Sequence, residues 1–273
     1  MMEERLLQDC TLCPRQCHVN RISGKKGSGA VFFSGCGLRC CFCQNRDIAI
    51  GNRGKAVSVE RLADIFLELE QKGAANLNLV TGAHYVPQII QALELAWKKG
   101  CKLPVVYNSS GYEKVETLKL LEGYVDVYLP DMKYMDAKLA ADFSHAPDYP
   151  EVVENAIREM VRQTGACVFG EDGYIRKGTI VRHLILPGHT KNSIAVLQYL
   201  HETYGDKIMI SMMNQFTPVW KQEKFLELNR KVTKREYEKV LNVALELGIE
   251  NGYFQEGKTA KESFIPAFDE EGI

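Results

Sequence analysis

No stretch of this 273-residue sequence stays apolar for the roughly 20 residues that a membrane-crossing helix needs. The first five residues, Met1-Met2-Glu3-Glu4-Arg5, lack the basic-then-apolar order of an export leader. The two absences together give the expectation of a cytoplasmic protein. Net charge is missing too. Against 35 acidic residues stand 34 basic ones, a formal −1, so no global field draws the chain to nucleic acid or to an anionic membrane. No internal repeat or low-complexity linker divides it. A hydrophobic content of 45% over this length supports one buried core, and single α/β barrels of this size are ordinary.

What the chain does have is cysteine, nine in all. Cys36, Cys40 and Cys43 sit in the run Ser34-Gly35-Cys36-Gly37-Leu38-Arg39-Cys40-Cys41-Phe42-Cys43-Gln44-Asn45. Random placement would produce that spacing in about one such chain in a hundred. In a reducing compartment, clustered thiols bind metal or do redox chemistry rather than pair as disulfides. Three thiolates on one short loop can wrap an iron–sulfur cube and leave its fourth iron without a protein ligand. Zinc is the alternative, and it wants four nitrogen or sulfur ligands in a closed tetrahedron. Cys41 is available as a fourth, although its adjacency to Cys40 suits a packing role behind the loop. Cys101 and Cys167 stand alone beside apolar residues and are expected to be ordinary small side chains of the interior.

Runs rich in β-branched and aromatic residues recur at 30–33, 77–81, 105–108, 125–129, 180–186 and 207–212. Between most of them lie segments with apolar residues at helical spacing: 58–72, 86–99, 113–121, 150–163, 191–203 and 234–247. Ser58 is placed to cap the first of these, and Gly73 to stop it. Strict alternation of strand and helix implies parallel strands with right-handed crossovers. Six such strands make an α/β fold, a partial (β/α)₆ barrel of TIM-like type, with 252–255 a further short candidate strand. Residues 1–27 form an amino-terminal extension, and 28–273 the barrel domain with its carboxy-terminal helices. Ligands of such barrels sit where strands end. Polar loops follow each predicted strand, including Thr81-Gly82-Ala83-His84, Asn108-Ser109-Ser110-Gly111, Pro130-Asp131-Met132-Lys133 and Asn214-Gln215. Their convergence on one rim predicts a single active site.

The run from Phe33 to Cys40, with Gln44-Asn45, resembles the cluster loop of radical S-adenosylmethionine (SAM) enzymes. It is closest in wording to the branch that contains the activating enzyme of pyruvate formate-lyase. The resemblance extends from Cys10 to about Phe268. It implies a [4Fe–4S] cluster on Cys36, Cys40 and Cys43 whose open iron holds SAM. It also implies a reductant such as flavodoxin or ferredoxin, and a 5′-deoxyadenosyl radical that abstracts hydrogen. Thr81 and Gly82 resemble the turn that bonds the SAM amino group, and His84 just beyond is a candidate for SAM, substrate or a proton path. Asn108, Ser109 and Ser110 match the loop that contacts the SAM ribose or carboxylate. Asp131 and Lys133 resemble the Asp-x-Lys motif of glycyl-radical activases, beside SAM. Arg182, inside a strand, needs a charged partner, and a SAM carboxylate is a suitable one. His183 should point the opposite way, and His189 lies in a Pro-Gly turn like the family's adenine-side loop.

Cys10-Thr11-Leu12-Cys13-Pro14-Arg15-Gln16-Cys17 is a second metal-like grouping. Cys10, Cys13 and Cys17 can hold an auxiliary iron–sulfur cluster or zinc, with His18, Cys41 or an external group completing the set. The leading expectation is hydrogen abstraction from a protein or peptide, as in the glycyl-radical activases. The competing ones are radical modification of a small molecule or an unrelated peptide, and a non-catalytic iron–sulfur electron carrier.

Overall fold

The computed structural model describes residues 27–51 and 53–254; Cys10, Cys13 and Cys17 lie outside the described residues. The sheet runs β1 (Gly29–Phe32), β2 (Leu77–Val80), β3 (Val105–Ser109), β4 (Val127–Pro130), β6 (Ile175–Leu184), β7 (Met209–Met213) and β8 (Gly252–Phe254), each pair parallel. Among the described residues β1 and β8 are the unpaired edges, so the barrel is open. The stretch at Gly252 thus adds a seventh parallel strand to the six expected. A short β5 (Val168–Phe169) pairs antiparallel with the first half of β6. That hairpin is why β6 begins five residues before the predicted strand: Ile175 to Lys177 pair outside the barrel wall.

The helices match the periodic segments closely. α1 (Arg46–Ala49) is a single turn behind the cysteine loop, and α2 (Val59–Gln71) starts where Ser58 Oγ accepts the Arg61 N–H at 3.2 Å. α3 (Val86–Lys98) and α4 (Val115–Leu120) follow β2 and β3. Two helices follow β4: α5 (Ala137–Ser144), capped by Asp136, and α6 (Tyr149–Thr164). α7 (Thr190–Tyr204) and α8 (Lys234–Glu246) complete the outer layer. No helix of the described residues is long and apolar enough to cross a membrane.

Period-two alternation sorts the strand side chains. Leu77, Leu79, Val105 and Tyr107 point outward into an apolar cluster with Phe66, Ile89 and Leu93, while Asn78, Val80 and Asn108 line the interior. A second apolar cluster lies under the carboxy-terminal half, around Phe143, Val181, Leu197 and Met212. Leu38 and Phe42 of the cysteine loop belong to this second cluster, although they follow β1 at the far edge. Cys101 is buried as expected, and Cys167 is half-buried.

Candidate active site

One cavity of about 360 Å³ opens at the strand ends. It gathers Cys36, Cys40, Cys43, Thr81, Asn108, Ser109, Ser110, Asp131, Lys133 and Arg182, ten of the residues that sequence reasoning singled out. Gln215 joins them from the loop after β7. Gly82 does not line the cavity. It lies underneath, where a Cβ would come within 2.7 Å of Ile89 Cδ1. His84 turns to the outer side of the cysteine loop, against Gly35, in a separate cavity with Cys36 and Arg39. Among the four loop residues 81–84, Thr81 is the one at φ +61°. A β-branched residue in that left-handed region is strained, and such strain concentrates at ligand sites.

The cysteine loop is held by many weak bonds rather than by a regular element. Gly35 N–H donates to Ile48 O at 2.9 Å, and Cys41 N–H to Phe143 O at 2.8 Å. Trp220 Nε1–H donates to Cys43 O at 3.0 Å and Gln222 Nε2–H to Cys41 O at 2.9 Å. Phe42 wedges edge-on against Phe143 and Phe216. Cys41 packs against the apolar core and is not among the cavity residues, as its position beside Cys40 suggested. Burial raises all the loop thiols. Cys43 is pushed up to about 11 by burial and by the neighbouring Cys40 charge, while Lys133 and the Ser144 hydroxyl partly offset the rise at Cys40.

Among the described residues no group of three or more His, Cys, Asp or Glu side chains could hold a single metal ion. The thiols of a cubane each bind a different iron, so three free thiols facing one cavity suit an iron–sulfur cube.

The same cavity holds a charged trio. Lys133 Nζ is 2.5 Å from Asp131 Oδ2, and Arg182 Nη2 is 2.7 Å from Asp131 Oδ1. Arg182 Nη2 directs a hydrogen bond to Asn108 Oδ1 at 2.7 Å. Asp131 Oδ1 is thus paired with the Arg182 guanidinium, while Arg182 Nε is buried without a hydrogen-bond partner. Burial works to raise the Asp131 carboxyl, but Arg182 and Lys133 outweigh it and hold it below the ordinary range. Burial works to lower Lys133, and Asp131 reverses that. The trio therefore stays ionised, with one positive charge in excess.

Residues that no motif announced fix this trio. The Tyr149 hydroxyl lies 2.8 Å from the carbonyls of Ser110 and Asp131 and accepts the Lys133 N–H at 3.0 Å. Asn192 Nδ2–H donates to Lys133 O at 2.9 Å, and its Oδ1 accepts the Met135 N–H at 2.9 Å. His183 points to the helical layer, as expected. It bonds Met132 O at 2.7 Å and Ser193 Oγ at 2.9 Å, and burial drops it to about 4, so it is neutral. His189 turns away from the cavity, to Glu227 Oε1 at 3.2 Å.

Residues 30–200 match the family model described as the Radical SAM superfamily. An uncharacterized protein of Methanocaldococcus jannaschii is 25% identical over 88% of this chain and 75% of its own length. SuiB of Streptococcus suis, in a crystal structure bound to S-adenosylmethionine, superposes with a TM-score of 0.56 at 14% identity, over 84% of this chain and 50% of SuiB. SuiB bound to its precursor peptide SuiA gives 0.55 at 14% identity, over 83% and 48%. The chain thus spans about half the length of the SuiB structures it matches. The likeness to SuiB is one of fold.

Proposed function

The chain belongs to the radical SAM superfamily, and from that premise we propose that it abstracts a hydrogen atom from a protein or peptide substrate, in the manner of a glycyl-radical activase. In this reading Cys36, Cys40 and Cys43 hold the [4Fe–4S] cluster. Bound there and reduced by an external one-electron donor, the cluster would supply the electron that cleaves SAM to methionine and a 5′-deoxyadenosyl radical. The protein binds and orients the nucleotide and keeps water out.

The observation that carries the proposal is the charged trio that shares the cavity with the thiols. An anionic ligand group fits its unpartnered donor. The carboxylate of SAM would accept from Arg182 Nε, beside Lys133. Asn108, Ser109 and Ser110 offer the mixed donors and acceptors a ribose needs. Thr81 offers its strained turn to the amino group. The Asp131-x-Lys133 spacing, like that of the activases, supports a polypeptide substrate.

The test is anaerobic reconstitution with iron and sulfide, reduction by dithionite or a flavodoxin, and addition of SAM. The expected products are 5′-deoxyadenosine and a glycyl radical, seen by electron paramagnetic resonance on a partner polypeptide. Cleavage of SAM with no radical on any polypeptide would sink the substrate assignment and leave the family chemistry. No cleavage, with Cys40→Ala indistinguishable from the parent, would sink the cluster assignment.

A further inference from the structure

We propose that Tyr134 and Ser144 form a hydrogen-bond relay to Cys40 that raises the reduction potential of the cluster; this rests on the reading of Cys40 as a cluster ligand. Ser144 is the last residue of α5 and is 1% exposed; Tyr134 is fully buried. Ser144 Oγ lies 3.0 Å from Cys40 Sγ and 2.8 Å from the Tyr134 hydroxyl. Two backbone bonds flank the contact and fix it. Cys41 N–H donates to Phe143 O at 2.8 Å, and Arg39 N–H points at Ser144 O at 3.4 Å.

Proton counting sets the direction. An iron-bound thiolate only accepts, so the single Ser144 proton goes to sulfur. The Ser144 oxygen must then accept from Tyr134, whose buried phenol is protonated at neutral pH. The chain Tyr134 O–H to Ser144 O–H to Cys40 S is therefore polarised one way, and each bond strengthens the next. Cys36 and Cys43 have backbone hydrogen bonds, at Leu38 and Asn45, whereas Cys40 has a side-chain donor in addition to a backbone one. A donor on a ligating sulfur withdraws charge and favours the reduced, more negative cluster. The relay would bring the cluster within reach of a low-potential one-electron donor. A merely structural Ser144 would be satisfied by Tyr134 alone and leave the potential unmoved.

The test is a redox titration of the iron-loaded protein, followed by electron paramagnetic resonance, for the parent, Ser144→Ala and Tyr134→Phe. Iron content of about four per chain verifies loading in each. The expected result is a lower potential in Ser144→Ala and a smaller shift of the same sign in Tyr134→Phe. Equal potentials in loaded parent and variants overturn the relay while leaving the cluster assignment intact. If Ser144→Ala takes up no iron, Tyr134→Phe decides, since it deletes one oxygen and keeps the ring; an unshifted potential there overturns the relay. A parent chain that takes up no iron overturns both.

Discussion

Asp131 sets one negative charge against the two positive charges of Lys133 and Arg182, and among the described residues it is the one carboxylate lining the cavity. The excess cation is what an anionic group of the ligand would answer. Arg182 contributes direction as well as charge, because its Nη2 is committed to Asn108 while Nε remains without a partner. Arg182→Lys should therefore keep the charge but lose the fork, weakening SAM binding about tenfold, or ~1.4 kcal/mol. Equilibrium dialysis with labelled SAM measures it, and an unchanged dissociation constant would remove Arg182 from the carboxylate site. Glu113 makes a different residue-scale prediction. Burial outweighs its hydrogen bonds to Ser109 and Tyr107 and raises it from 4.5 to about 7. Between those values the unfolded chain ionises and the folded one does not. Stability from this group is present below pH 4.5 and is lost as pH rises through 7. Glu113→Gln should match the parent near pH 4.5 and exceed it by ~3 kcal/mol above pH 7, in urea denaturation followed by circular dichroism. A difference that does not vary with pH would refute the buried neutral acid. Residues of the first kind were legible in the sequence because a charge at the end of an apolar strand is anomalous. Tyr149, Asn192 and Ser144 were not, because they come from helices and act on backbone carbonyls and one sulfur, with no spacing to betray them.

Elements carry these side chains, and the β3 and β4 loops touch through a glycine. At Gly111 φ is +75°, and a Cβ would stand 2.3 Å from Asp131 O. That carbonyl is also held by Tyr149, so it cannot retreat without moving Asp131. Gly111→Ala should cost about 1–3 kcal/mol, read as a fall in melting temperature of about 2–4 °C per kcal/mol, and should weaken SAM binding as well. A stability loss with unaltered binding would mean that the loops move independently. The main strands and long helices could be read from sequence because their outward faces repeat, as Leu77 and Leu79 do on β2 and as Leu62 and Phe66 do on α2. The elements that escaped are short or lie off the wall. α5 has eight residues, too few turns for a stripe to stand out, and is announced chiefly by the Asp136 cap. The β5–β6 hairpin exposes Val168 and Phe169, so burial imposes no pattern on it. Its placement comes from backbone pairing, which composition does not reveal.

At the scale of the molecule, the β4–β6 pairing joins the two halves of the sheet, and among the described residues the cysteine loop adds a second crossing from the β1 edge. It departs from β1 and delivers Leu38 and Phe42 to the apolar cluster of the carboxy-terminal half. Cys41 and Cys43 accept hydrogen bonds from Gln222 and Trp220, beyond β7. A cluster bound to Cys36, Cys40 and Cys43 would tie the loop to itself at three points and so hold Leu38 and Phe42 in the shape that docks on the carboxy-terminal half. Metal binding and folding are then linked, because ligand that binds the folded chain alone stabilises it by mass action. Stripping iron with a chelator and an oxidant should lower the melting temperature of the whole barrel in one transition, followed by calorimetry. The difference should vanish in Cys40→Ala, which cannot hold the cube. Phe42→Ala should cost about 3–5 kcal/mol through lost packing and reduce iron content along with it, since the same wedge orients the thiols on either side. If loaded and stripped chains melt together, the loop is held by its packing alone, and the cube contributes chemistry without contributing to the fold.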